Sequence, residues 1–167
     1  LLMKYSEDSL KKVIEDFTNL GYRVNYALYN AADYGVPQTR ERVFLIGTPD
    51  DSVPFEHPVK QVDQAHWVSA KEAIKDLENL EENKALNHTW SRAKKRPHQG
   101  MRGLKSDRPA TTIRAECHGN IQFHYSLDRR ISMREAARFQ SFPDDFLFQA
   151  GLRETERQVG NAVPPVL

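Results

Sequence analysis

Asn30-Ala-Ala-Asp-Tyr-Gly-Val-Pro-Gln-Thr-Arg-Glu-Arg-Val-Phe-Leu-Ile-Gly47 sets three long polar side chains, Gln38, Arg40 and Arg42, just before the apolar run Val43 to Ile46. On extended backbone, side chains alternate between faces, so these three share one face and Thr39 and Glu41 the other. A row of planar groups that each make paired hydrogen bonds suits a phosphate or the polar edge of a base. A solvated, charged strand edge is the other reading these residues allow. The link from Asn30 to Arg42 is longer than a hairpin needs, and long ordered connections tend to be functional.

Upstream, residues 6–20 read as an amphipathic helix. Ser6 is placed to cap it, Glu7 and Asp8 favour its positive end, and Leu10, Val13, Ile14, Phe17 and Leu20 form one stripe. Gly21 is a natural stop. Tyr22 to Tyr29 then alternates, with Val24, Tyr26 and Leu28 on one side, as in a half-buried strand. Val43 to Thr48 is nearly all apolar, which predicts a strand covered on both faces.

Downstream, Pro49, Pro54 and Pro58 break the pattern. Ser69 and Glu72 make a capping box for a helix from Ala70 to about Leu80, with Ile74, Leu77 and Leu80 facing inward. Residues 84–108 lack periodicity and read as loop. Arg108 to Ile113 and Asn120 to Tyr125 read as short strands. Ser132 and Glu135 cap a second helix to Gln140, ended by Phe142-Pro143, and Thr155 with Gln158 starts a last short turn.

A chain of 167 residues can bury one core, or one core with a small appendage. The net charge of +1 says little about partners, but its distribution says more. Acids dominate from Asp50 to Glu82. From Asn87 to Arg114, Arg92, Lys94, Lys95, Arg96, Arg102, Lys105, Arg108 and Arg114 face only Asp107. Such a segment suits a DNA backbone, either as a loop ordered by DNA or as a disordered basic loop. The single cysteine excludes an internal disulfide and fits a reducing compartment. No signal peptide and no membrane span are expected, because Leu1-Leu2-Met3 runs at once into charged residues and no apolar run is long enough. The six histidines do not cluster with other ligands, so no metal site is expected.

Three stretches, in order, resemble the DNA cytosine-5 methyltransferases. Gln38-Thr-Arg-Glu-Arg42 looks like that family's motif VIII. Arg134-Glu-Ala-Ala-Arg-Phe-Gln-Ser-Phe-Pro-Asp144 followed by Phe146 looks like motif IX, and Gln158-Val-Gly-Asn-Ala-Val-Pro-Pro165 like motif X. The weakest match, residues 49–108, falls where the family places its variable target-recognition region. The resemblance implies an α/β fold: the C-terminal part of a Rossmann-like S-adenosylmethionine-dependent methyltransferase domain plus a small mixed recognition lobe. The expected division is 1–48 for the end of the catalytic domain, 49–126 for the recognition region and 127–167 for the return through motifs IX and X. The family's Phe-x-Gly-x-Gly, Pro-Cys-Gln and Glu-Asn-Val motifs do not occur here. The expectation is therefore a C-terminal fragment or subunit that is inactive alone, partnered by the missing N-terminal catalytic portion and by double-stranded DNA. A bacterial cytoplasmic, nucleoid-associated restriction-modification enzyme is the implied setting. A DNA-binding or regulatory protein that lost catalysis is the alternative.

By the same resemblance, Arg42 points at the flipped cytosine, Arg40 supports the catalytic loop or a phosphate, and Gln38 orders the cluster. Asn161 and Val163 border the S-adenosylmethionine pocket. Thr112 would bind a phosphate or support the flipped nucleotide's neighbours; Arg114 on the same lobe, and Arg92, Lys94, Lys95 and Arg96 from the basic segment, are expected to contact DNA. Cys117, in Ala-Glu-Cys-His-Gly, has neither the context nor the chain position of the family nucleophile and reads as a small buried or half-buried thiol. Arg134, Glu135 and Arg138 tie the recognition lobe to the catalytic lobe.

Overall fold

The computed structural model describes residues 4–92, 103–115 and 122–167, in two compact units. One comprises Leu1–Tyr29 and Glu41–Val59, the other Asn30–Arg40 and Lys60–Leu167. The division thus falls inside the motif VIII stretch.

The first unit holds helix α1 (Lys4–Asn19) and strands β1 (Tyr22–Asn30) and β3 (Glu41–Pro49), which pair in a two-stranded sheet. Ser6 lies inside α1 and so does not cap it. Gly21, at φ +83°, ends the helix, and its carbonyl accepts from Asp50 N at 3.0 Å. Edge-to-face contacts between Phe17 and Tyr22 and between Tyr29 and Phe44 organise the unit. Yet none of its described side chains is buried. Tyr26, Leu28 and Val43 are about half exposed, so β3 is not covered on both faces and the apolar side of β1 is its open side. A helix and two strands supply too few facing side chains to close a core.

The second unit carries the core. Helix α2 (Ala70–Ile74) has the expected Ser69–Glu72 capping box, but it tightens into a 3₁₀ turn over Lys75–Leu77 and leaves Leu80 exposed. Helix α3 (Met133–Phe139) has the Ser132–Glu135 box. It ends at its cap Gln140, as expected, and Ser141 turns to φ +60° just before Phe142-Pro143. Helix α4 runs Leu152–Asn161 rather than starting at Thr155, and Gly151 caps it without a side-chain bond. Ile74, Ile113, Ile131, Met133, Phe139 and Val159 meet in one fully buried cluster.

The segment Asn30–Arg40 is folded into this unit. Asn30 Oδ1 accepts from Ala32 N and Arg40 N, and the 3₁₀ turn Ala31–Tyr34 is buried throughout. Gly35 closes the turn at φ +83°, a conformation that suits glycine. Strand β2 (Gln38–Thr39) then pairs in parallel with β4 (Ala110–Thr111), Gln38 opposite Ala110 and Thr39 opposite Thr111. The chain between Val62 and Ala110 starts and finishes on the same short stretch. Gln61 N and Val62 N both donate to the Asp33 carbonyl at 3.0 Å, Lys60 pairs with the Asp33 carboxylate at 2.7 Å, and Ala110 N donates to the Pro37 carbonyl at 2.9 Å.

Candidate functional site

Two of the three aligned polar side chains turn inward. Gln38 is fully buried and Arg40 only 3% exposed. Gln38 Nε2 donates to the Phe139 carbonyl at 2.9 Å and to Gln140 Oε1 at 3.1 Å, and its Oε1 accepts from Ile113 N at 2.9 Å. The Arg40 guanidinium donates to the carbonyls of Ile113, Gly160 and Ala162 at 2.9, 3.0 and 3.1 Å. Gln140 Nε2 extends the network to the Val159 carbonyl at 2.6 Å. Four segments distant in sequence therefore meet on one strand: β2, the stretch after β4, the end of α3 and the end of α4. The motif VIII row works here as an internal clamp. Arg40, expected to support the catalytic loop or a phosphate, has its enclosed fork directed at carbonyl oxygens of this chain.

The end of α4 is held as closely. A Cβ on Gly160 would stand 2.4 Å from Ala115 N and 2.5 Å from Arg114 C, so only glycine lets these backbones approach. The next residues face outward: Asn161 is exposed and Val163 is 54% exposed.

Arg42 lies in the first unit, half-buried, and donates to the Glu41 carbonyl at 2.6 Å. The Thr112 hydroxyl donates to the Thr39 carbonyl at 3.0 Å, which spends its proton on the clamp. Arg114 is exposed. Arg92 is exposed, ion-paired with Glu82 at 2.5 Å and set 5.6 Å from the Trp90 ring. Lys94, Lys95, Arg96 and Cys117 lie outside the described residues.

Arg134 and Arg138 join residues 127–167 both to their own segment and to the region expected to serve recognition, all within the second unit. Arg134 donates to the carbonyls of Leu86, Pro143 and Phe146. Arg138 grips Asp76 and Asp144, both at 2.6 Å, and its guanidinium holds each carboxyl below its ordinary range. Sequence reasoning missed a buried group around Glu135. That carboxylate accepts from Arg129 at 2.7 and 2.8 Å and from Ser132 N, with His124 Nε2 at 3.8 Å. His88 Nδ1 meets Ser132 Oγ at 3.0 Å. Burial lowers the pKa of both histidines. His124 Nδ1 accepts from Ser126 N and Leu127 N, which fixes the neutral tautomer with its proton on Nε2. No spacing rule links His88 to residues 124–135, so only the fold reveals the group.

The sequence matches the family described as C-5 cytosine-specific DNA methylase over residues 1–105 and 90–167. It is 32% identical to the Type II methyltransferase M.NgoFVII of Neisseria gonorrhoeae, covering 99% of this chain and 53% of that protein. It is 31% identical to M1.HphI of Haemophilus parahaemolyticus, covering 93% and 48%. The chain thus spans about half the length of these curated relatives. In fold it resembles a DNA modification methyltransferase encoded in an Escherichia coli prophage, with TM-score 0.71 and 19% identity over 99% of this chain and 63% of that one. The Schizosaccharomyces pombe Dnmt2 methyltransferase is similar at TM-score 0.62 and 14% identity, over 93% and 56%.

Proposed function

The chain belongs to the C-5 cytosine-specific DNA methylase family, and we propose that it forms the motif VIII-to-X half of a bacterial DNA cytosine-5 methyltransferase of a restriction-modification system. In that role it offers Arg42 to a cytosine flipped out of duplex DNA, presents a DNA-recognition surface, and borders the S-adenosylmethionine site. The observation that carries the reading is the clamp of Gln38 and Arg40. It fixes the backbone around Ile113, Gly160 and Ala162, and beside it Arg114, Asn161 and Val163 are exposed.

Arg42 spends one N–H on its neighbour's carbonyl and keeps others for a base, as a planar fork with five donors can. Arg40 acts one step behind, as a positioning residue. Asn161 and Val163 fit the cofactor's border: an exposed amide and an exposed apolar side chain follow a backbone that Arg40 pins at Gly160 and Ala162. The cofactor, when bound, supplies the methyl group. Arg114, Arg92, Lys94, Lys95, Arg96 and the Thr112 oxygen are the proposed DNA contacts. Since the sequence contains no Pro-Cys-Gln, the nucleophile comes from the amino-terminal portion of the enzyme, which is the partner this half requires. The setting is the bacterial cytoplasm, at the nucleoid. No helix among the described residues is long and apolar enough to cross a membrane.

Labelled S-adenosylmethionine tests this. The chain alone should transfer no methyl group to DNA, and addition or fusion of an amino-terminal segment bearing Pro-Cys-Gln should restore transfer. In the restored enzyme Arg42→Ala should depress kcat/KM far more than Lys94→Ala, which should mainly weaken salt-sensitive binding and make its dependence on salt shallower. Transfer by the chain alone, or equal effects of the two variants, would refute the assignment.

A further inference from the structure

The face of the β1–β3 sheet that carries Arg42 also carries a line of aromatic side chains. Side chains alternate along a strand, so on β3 Arg42 shares a face with Phe44, and on β1 Tyr29 shares one with Ala27. The Tyr29 and Phe44 rings meet edge to face, with centroids 5.6 Å apart, so both sets lie on the same side of the sheet. A Cβ on Gly47 would stand 3.5 Å from the Tyr22 ring, which puts the remaining sets together on the other side. Arg42 therefore has Phe44 two residues along its own strand, about 7 Å away, and Tyr29 on the neighbouring strand.

This group is tied down from outside the sheet. The Tyr29 hydroxyl and His57 Nδ1 are hydrogen-bonded at 2.6 Å, and the His57 ring stands 5.3 Å from Phe55 in a second edge-to-face contact. Tyr29, Phe44 and Phe55 are half-buried, and all of these residues belong to the first unit with Arg42. The bond from Arg42 to the Glu41 carbonyl is local. It occupies one N–H and leaves the direction of the other donors to the surroundings. A long side chain loses rotamer freedom when it is aimed at a partner, so walls that limit its rotamers beforehand prepare it for contact.

On the reading that Arg42 contacts the flipped cytosine, we infer that Tyr29 and His57 are positioning residues for it. The Tyr29 ring, fixed by His57 and backed by Phe44, limits where the Arg42 guanidinium can point. Tyr29 and His57 act on turnover only through Arg42, and a displacement of about 1 Å at a contact group is enough to slow the chemistry.

A double-mutant cycle in the restored enzyme tests this. Tyr29→Phe keeps the ring and removes the hydroxyl; it should lower kcat about tenfold and leave KM for DNA unchanged. In an Arg42→Ala background the same substitution should lower kcat no further, an outcome that a general loss of structure does not produce. His57→Ala should behave like Tyr29→Phe. His57→Gln, whose amide oxygen accepts from the hydroxyl, should recover part of the loss. In the chain alone, NMR relaxation at the Arg42 Nε–H should show a more mobile side chain in Tyr29→Phe and His57→Ala than in the parent. An equal loss in both backgrounds, no loss at all, or unchanged Arg42 relaxation would each overturn the inference. If Arg42→Ala leaves kcat/KM intact, the proposed function loses its base contact and this inference goes with it. If Arg42→Ala lowers kcat/KM and Tyr29→Phe does not, this inference falls alone.

Discussion

Replacing Arg40 with alanine is the sharpest test of the clamp. The side chain is 3% exposed and directs its guanidinium at the carbonyls of Ile113, Gly160 and Ala162. A hydrogen bond to a charged group contributes about 1.5–3 kcal/mol, so the three would sum to about 4.5–9 if independent. They share one side chain, and water can enter the vacated volume, so the sum is an upper bound. A loss of about 3–5 kcal/mol matches what breaking a buried charged pair does, against total stabilities of about 5–15 kcal/mol. Urea unfolding followed by tryptophan fluorescence reports on the right unit, since Trp67 and Trp90 both lie in it. With a urea dependence of about 1–3 kcal/mol per molar, the midpoint should fall by at least about 1 M. Arg40→Lys should recover part of the loss, because one ammonium keeps the charge but cannot span three acceptors. Arg42→Ala should leave the midpoint unchanged. If Arg40→Ala unfolds no earlier than Arg42→Ala, the clamp is not what holds these segments together.

Two further outcomes follow from the packing. Gly160→Ala should cost about 1–3 kcal/mol or more, because its Cβ would meet backbone atoms of Arg114 and Ala115 rather than a yielding side chain; an unshifted urea midpoint would show that the two backbones can separate freely. Stability should also fall with pH below the ordinary histidine range. Burial lowers the folded pKa of His88 and His124, so the unfolded chain binds more protons there, and stability present above about pH 6.5 is lost as pH drops toward the depressed folded values. His124→Asn, whose amide oxygen can replace Nδ1 as acceptor for Ser126 N and Leu127 N, should flatten the decline between pH 7.5 and 5.5; a midpoint insensitive to pH in the parent chain would contradict the neutral tautomer.

What the sequence made legible was local. Ser69–Glu72 and Ser132–Glu135 were readable as capping boxes because the motif spans four residues and carries its own bonding partners. The order of helix and strands around motif VIII was readable from periodicity. The inward turn of Gln38 and Arg40 was not, because alternation fixes which residues share a face and not which face is covered. Apart from the Gln140 side chain, their partners are backbone carbonyls and the Ile113 N–H, some seventy to one hundred and twenty residues away, and backbone groups leave no mark on side-chain patterns. The start of α4 was missed for a similar reason, since Gly151 caps it without a side-chain bond. Val43 and Leu28 read as covered on hydropathy alone, whereas the described residues of their unit bring nothing to bury them.

The anchoring of the long excursion from Val62 to Ala110 has a consequence for change over time. Both of its feet stand on Asp33 and Pro37 through backbone carbonyls, and those particular bonds do not depend on which side chains the excursion carries. The span between the feet is set by β2 and the turn before it, not by the excursion itself. Doubling the length of such a loop adds only about 0.6 kcal/mol of closure entropy. The excursion can therefore lengthen at little cost between its fixed points, while Ile74 in the buried cluster and the holds of Arg138 on Asp76 and Arg134 on Leu86 limit what can be replaced.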